Sequence, residues 1–332
     1  MNFIKTITGR LFTVSLAVVP ALLITTMANA DTNYLDNFST ELVMEVEMPW
    51  ETDNSESIAS TTSKVEFAVD AHPIEGVCGH AVFLWEGEGS VEVDEATIAV
   101  LDLWATPLYV EVGLKVIPFG VFNSSLISDP LAKELAETKE YTVQAGYAAE
   151  LFSLGLGAYN GALDEADADN KPDNFFATVD FQVYNGILAG ISWTSDMGEG
   201  GLEEFFTTLP DTTPYKNVAG LDLNLSADLN LFQFDLEYVT ALSEWENVTP
   251  GALPLKPSSW NAEVACSLGD NYSMAVRYEG CADFPDQPEN RYGIAGAYQL
   301  REYLSFGLEY VRSDFEVTDA QNTFTAKLAL EI

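Results

Sequence analysis

Thr323-Phe324-Thr325-Ala326-Lys327-Leu328-Ala329-Leu330-Glu331-Ile332 closes the chain, and its alternation decides the fold. Phe324, Ala326, Leu328, Leu330 and Ile332 point one way; Thr323, Thr325, Lys327 and Glu331 point the other. A period of two is the pleat of a β-strand. About ten such residues carry a strand across a membrane in a closed barrel, one face toward lipid and one toward water. An aromatic last residue would be a stronger barrel-assembly signal, and Ile332 is a weaker substitute.

The same alternation recurs toward the N-terminus. Residues 303–315 set Leu304, Phe306, Leu308 and Tyr310 against Ser305, Gly307 and Glu309. Residues 290–300 set Tyr292, Ile294 and Tyr298 against Arg291, Gly293 and Gln299, and residues 272–281 set Met274, Val276 and Tyr278 against Ser273, Arg277 and Glu279. Residues 258–268, 229–241 and 217–225 follow, with Glu263, Asp235, Glu237 and Asp222 on their polar sides. Earlier strands are expected at 188–195, 175–183 (with Asp180 inward), 152–160, 141–150 and 108–117. Residues 95–101, 80–85, 64–71 and 38–48 alternate less regularly. The total is about sixteen, or fourteen if the pair near Trp85 lies outside the membrane.

The connections are sorted by length. Residues 49–63, 118–140, 161–174, 196–216 and 242–257 are long, whereas Leu151, Asn185-Gly186, Ala227-Asp228, Gly269-Asp270 and Arg301-Glu302 are tight. Short turns at one end and long loops at the other are the habit of outer-membrane barrels. The fold class read here is therefore all-β: an antiparallel, up-and-down transmembrane barrel. Connections near residues 71–79 and 86–91 break the size rule, which makes that region the soft spot of the strand count.

The first thirty residues stand outside this pattern. Lys5 and Arg10 form a positive head, residues 11–26 an apolar run, and Ala28-Asn29-Ala30 a cleavage site, so a signal peptide cut after Ala30 is expected and a barrel over 31–332. The chain holds 14 basic against 52 acidic residues, a net charge of −38, yet 47% of it is hydrophobic. Such acidity with abundant aromatic and β-branched residues argues against disorder, and the lack of a basic stripe excludes nucleic acid as partner. Three cysteines, Cys78, Cys266 and Cys281, suggest no disulfide framework, and there is no Cys/His cluster spaced for a metal. With only His72 and His80 as histidine bases and no G-x-S-x-G, neither an enzyme nor a bound cofactor is expected. The acidic run at 164–173 lacks the glycine and terminal glutamate of a calcium loop and reads as a solvated outer loop.

One connection differs in character. Strand 108–117 turns Glu111 and Lys115 inward, and Pro118-Phe119-Gly120 ends it, because proline cannot donate to the ladder and glycine permits a bend. Asp129-Pro130 then reads as a cap and first position of a short helix over 131–137, which carries Glu134 and Glu137. A connection of about twenty-three residues is too long to be idle in a compact fold. It is the third connection at the long-loop end, counting the short one near 86–91, and it is expected to fold into the lumen and constrict the pore. The lumen charges are then Glu111, Asp222, Asp235, Glu237, Glu263, Glu279 and Glu309 against Lys115, Arg277 and Arg291, with the basic three a track opposite the loop. Carboxylates in a narrow pore favour cations.

Pro118-Phe119-Gly120, Ile127-Ser128-Asp129-Pro130-Leu131, Glu134-Leu135 and Glu137-Thr138 resemble the signature of the legiobactin-type siderophore porins of Gram-negative outer membranes. Motif-grade similarity covers about residues 95–150, in the strand and loop context just described. The resemblance implies an outer-membrane barrel and plug-free uptake of a ferric siderophore. The residues themselves point first to a passive porin for small cationic or neutral solutes, with outer-membrane lipid and lipopolysaccharide as its surroundings. A homotrimer is common for porins of this size. An adhesin or scaffold barrel is the third reading.

Overall fold

The structure, a computed structural model, describes residues 37–52, 57–87, 89–163, 173–209, 215–245 and 254–332. The expected signal peptide and nearly all of the acidic run at 164–173 lie outside the described residues. The strands are β1 (Phe38–Thr52), the three-residue β2 (Ser57–Ala59), β3 (Thr62–Ile74), β4 (Val77–Glu86), β5 (Glu92–Val100) and β6 (Leu108–Val116). Helix α1 (Leu131–Ala136) precedes β7 (Lys139–Ala148), β8 (Phe152–Tyr159), β9 (Asn174–Tyr184) and β10 (Ile187–Thr194). Helix α2 (Glu203–Thr207) is followed by β11 (Gly220–Leu229), β12 (Phe232–Ala241), β13 (Ser258–Ser267) and β14 (Tyr272–Ala282). The last three are β15 (Asn290–Arg301), β16 (Leu304–Asp314) and β17 (Gln321–Glu331).

Each long strand pairs antiparallel with its sequence neighbours, and β1 pairs with β17 from Val43↔Glu331 to Thr52↔Asn322, which closes the sheet. The short β2 pairs only with the end of β1, so the barrel has sixteen full strands. Closure matters energetically, because an open edge would leave unpaired backbone groups in lipid. The region around Trp85 belongs to the barrel: β3, β4 and β5 pair continuously, with bulges at Ala71/Ile74 and Val82/Phe83. Those bulges are why the alternation reads poorly there, since one extra residue swaps every later side chain to the other face.

Tight turns and long loops segregate to opposite ends, as the sequence suggests. The β11–β12 turn lies at Asn230-Leu231 rather than Ala227-Asp228. Asn230 takes a positive φ of 64° and its N–H donates to Asp228 Oδ1 at 3.1 Å, the local turn chemistry that asparagine and aspartate supply.

The outer face is an apolar band: Leu223, Leu225, Phe234, Leu236, Val276, Ile294 and Leu308 are all exposed. Aromatic rings pair across neighbouring strands near its two rims, Tyr278 on Tyr292 with centroids 4.8 Å apart toward the long loops and Tyr272 on Tyr298 at 4.6 Å toward the tight turns. The inner face carries the charge. Glu237, Glu263, Arg277, Glu279 and Glu309 are buried there.

Candidate pore and its inner loop

Residues 117–138, between β6 and β7, cover part of the inner wall. Ile117, Phe119 and Phe122 are buried as the chain leaves the strand. Gly120 has φ +91°, and a Cβ there would lie 2.2 Å from the Phe122 ring, so glycine is required by both conformation and space. After Phe122 the chain has no regular secondary structure down to the helix and does not satisfy its own N–H groups. Wall carboxylates do so.

Glu237 on β12 accepts from the N–H groups of Val121 (2.7 Å) and Phe122 (2.9 Å). Asp235 accepts from Asn123 Nδ2 at 3.1 Å. Glu263 on β13 accepts from Ser124 Oγ at 2.9 Å and from the Ser125 N–H. Glu309 on β16 accepts from the N–H groups of Ile127 (2.6 Å) and Ser128 (3.0 Å). Glu279 on β14 accepts from the Leu131 N–H at 2.7 Å. Four strands thus present carboxylates to successive stretches of one loop. Hydrogen bonds to a charged acceptor contribute about 1.5–3 kcal/mol each, roughly twice a neutral pair.

Two arginines lock the same segment from the wall side. Arg277 donates to Ser124 Oγ (2.8 Å), to the Ser128 carbonyl (2.9 Å) and Oγ (2.9 Å), and to the Asp129 carbonyl (3.1 Å). Arg291 donates to Glu134 Oε1 at 2.8 Å and to the Asp129 carbonyl. Both also pair with Glu279 Oε1, at 2.9 Å and 2.6 Å. These buried charges are therefore mutually compensated, which a low-dielectric site requires.

The expected helix is present, but its cap is not Asp129. Pro130 is the N-cap residue and makes no side-chain cap bond; Glu279, from the wall, caps the Leu131 N–H instead. Asp129 turns its carboxylate to Lys133 Nζ at 3.0 Å, and Glu137 approaches the same ammonium at 3.8 Å. At the other end, the Gly201 N–H from the β10–β11 loop donates to the Leu135 carbonyl at 3.0 Å. A six-residue helix has little intrinsic stability, so these outside partners and the burial of Leu131, Ala132 and Leu135 hold it.

The long loops build a second core above this segment. Phe119, Leu135, Met197, Leu202, Trp245 and Phe284 bury together, with Phe206 5.2 Å from Trp245 ring to ring. Glu199, also buried, accepts from the N–H groups of Ala162 (2.8 Å) and Leu163 (3.0 Å), tying two loops together. Burial pushes its carboxyl up to about 8, against the lowering effect of those two N–H groups.

The expected sites divide into two groups. Pro118, Phe119, Gly120, Asp129, Pro130, Glu134 and Glu137 come together with Asp235, Glu237, Glu263, Arg277, Glu279, Arg291 and Glu309. Asp222 lies beside them, accepting from Asn224 Nδ2 at 2.8 Å. Glu111 and Lys115 are elsewhere: they pair with each other on β6, and Lys115 also reaches Gln144 at 3.3 Å. The expected basic track opposite the loop is not formed, because Arg277 and Arg291 bind the loop itself. Nor do the carboxylates of β12–β16 form a solvated ring; the loop's backbone occupies them.

Apart from Lys327 and Glu331 on the last strand, sequence reasoning named none of the charges on the other half of the wall. On β1, β3, β4, β5 and β17 the inward charges stay partly exposed: Lys327 lies 2.7 Å from Glu45 and 3.3 Å from Glu47, and Lys64 3.2 Å from Glu66. His80 lies 2.7 Å from Asp70 and 3.7 Å from Glu95. The Glu47 side chain is 30% exposed and Lys64 37%, against 0% for Glu263 and Arg277. The signal was available in Met44-Glu45-Val46-Glu47-Met48, a clean alternation within β1.

No protein-family profile matches the chain. A UPF0422 protein of Coxiella burnetii is 23% identical over 269 residues, which are 76% of this chain and 55% of that protein, so the chain spans about half the length of the curated relative it matches. Solved structures align over most of the barrel. The outer membrane channel DcaP of Acinetobacter baumannii gives a TM-score of 0.66 at 9% identity, over 89% of this chain and 97% of that one. Salmonella typhi OmpF, solved with daunomycin, gives 0.64 at 9% identity over 90% and 99%. An anion-selective porin from Comamonas acidovorans gives 0.62 at 10% identity over 89% and 99%. At these identities the likeness is one of fold: this chain has the sixteen-stranded barrel fold of outer-membrane porins.

Proposed function

We propose that the chain is a passive diffusion channel of the outer membrane, with tight turns in the periplasm and long loops outside. Its aqueous path runs beside the inner loop, along the wall of β17, β1 and β3–β5. One observation carries this reading: the loop consumes the wall charges of β12–β16 and leaves those of the opposite half partly exposed.

That half is acidic. Glu45, Glu47 and Glu66 meet Lys64 and Lys327, and Asp70 and Glu95 flank His80, so carboxylates are in excess, cations are concentrated in the path and anions repelled. The fold does not set this preference, since one protein of the same fold bears the name of an anion-selective porin. The same acid excess disfavours an anionic ferric siderophore as the solute. Purified protein in a planar bilayer under a KCl gradient tests the reading: the reversal potential should take the sign of K⁺ permeation. An impermeable bilayer would overturn the channel, and a Cl⁻-signed potential the acidic path.

A further inference from the structure

The chain's two histidines both lie on one hairpin, His72 on β3 and His80 on β4, and both side chains meet a second polar or soft partner on the inner wall. His72 Nδ1 is 3.2 Å from Cys78 Sγ. His80 is held between two carboxylates, with Nδ1 2.7 Å from Asp70 Oδ1 and Nε2 3.7 Å from Glu95 Oε2. Asp70 and His80 are directly cross-strand partners, and Glu95 is on the neighbouring β5, so three adjacent strands fix the set.

The geometry points to a weak binding site for a divalent transition-metal ion, with zinc as its simplest representative, between His80 Nε2 and Glu95. Asp70 can only accept from Nδ1–H, so when Nε2 carries no proton the imidazole offers its lone pair there. A carboxylate that orients the far nitrogen of a metal-binding histidine is the usual outer-shell partner of such ligands, and Asp70 stands there. Two donors of a tetrahedral zinc lie about 3.3–3.4 Å apart, given bonds of about 2.0–2.2 Å. The observed 3.7 Å closes to that by a small side-chain rotation.

Only two protein donors converge, consistent with the absence of a three-residue metal cluster among the described residues. Water must complete the shell, which makes the site exchangeable. That suits a path through which ions move, where binding has to permit departure. All three side chains are partly exposed on the wall that the inner loop leaves uncovered. An imidazole prefers transition metals to magnesium, which bare carboxylates would take about as readily. Binding here goes beyond the channel reading and does not require conduction, so the two can fail separately.

Calorimetric titration of Zn²⁺ into the folded protein in detergent tests it, with heat-modifiable mobility on gels as the check that each variant is a folded barrel. One Zn²⁺ per chain is expected. His80→Asn and Glu95→Gln should each weaken it at least tenfold, Asp70→Asn by about ten- to a hundredfold as an orienting partner, and Cys78→Ser should leave it unchanged. Should His80→Asn not fold, Glu95→Gln and Asp70→Asn decide alone. No binding by the wild type would overturn the site, as would unchanged affinity in the folded variants. Magnesium binding of equal strength would overturn the imidazole's role, and loss with Cys78→Ser would place the ion elsewhere.

Discussion

Replacing Glu237 and Glu309 together by alanine removes the acceptors of four backbone N–H groups, those of Val121, Phe122, Ile127 and Ser128. An N–H left without a partner in a buried site costs about 1–3 kcal/mol. Water can reach this loop once it lifts, so the lower end applies, about 1 kcal/mol for each group and about 4 kcal/mol together. At 1.4 kcal/mol per factor of ten, the ratio of lifted to docked loop rises by nearly three orders of magnitude, about 700-fold. Asp235, Glu263 and Arg277 still hold Asn123, Ser124, Ser125, Ser128 and Asp129, so the loosening is confined to the freed amides within residues 121–128. Hydrogen exchange followed by mass spectrometry over that stretch should show the loss of protection, and single-channel records should show added open-state noise. The Glu237→Gln and Glu309→Gln pair retains a neutral acceptor at each place and should give a smaller effect. Unchanged exchange in the alanine pair would refute the claim that wall carboxylates hold the loop.

Arg277→Lys keeps the charge but cannot reproduce a fork that reaches Ser124, Ser128 and Asp129 at once, and it leaves Glu263 and Glu279 poorly compensated. Removing one partner of a buried ion pair costs about 3–5 kcal/mol, and with the charge retained the loss should fall below that, which a lowered thermal midpoint in detergent would register; a midpoint equal to the wild type would argue that the fork contributes nothing. Glu199 gives the pH dependence. Its folded value of about 8 lies above the ordinary carboxylate range, so the folded state holds the extra proton. Loop stability from this group is therefore full below the ordinary carboxylate value of 4.5, declines as pH rises from there to about 8, and levels off above that. Exchange at the Ala162 and Leu163 amides, corrected for intrinsic rate, should accelerate over that window in the wild type and lose the trend in Glu199→Gln; the same trend in both would exclude Glu199 as its source.

The barrel was legible because lipid imposes alternation: Leu304, Phe306, Leu308 and Tyr310 could face only one way. The count of sixteen holds, and it was softest where bulges at Ala71/Ile74 and Val82/Phe83 break the period, a feature set by pairing partners and not by local composition. Alternation places Glu237, Glu263, Glu279 and Glu309 on the polar side of their strands, yet their partners are loop groups more than a hundred residues away. Those groups look alike at every residue and leave no mark in the sequence. The helix start failed for the same reason, since Asp129-Pro130 reads as a local cap whereas Glu279 supplies the acceptor from another strand. The fold was thus readable from periodicity, and the use of the charges was not.

The central claim, an aqueous path along the half of the wall that the loop leaves free, is tested most directly by thiol modification during current recording. With Cys78, Cys266 and Cys281 replaced by serine, single cysteines are introduced as Glu47→Cys, Lys64→Cys and Glu263→Cys and treated with a charged, water-soluble thiol reagent. Glu47 and Lys64 retain exposed side chains, whereas Glu263 is sealed beneath Ser124 and Ser125. Current should fall on modification at 47 and 64 and stay constant at 263. A fall at 263 with none at 47 or 64 would contradict the account.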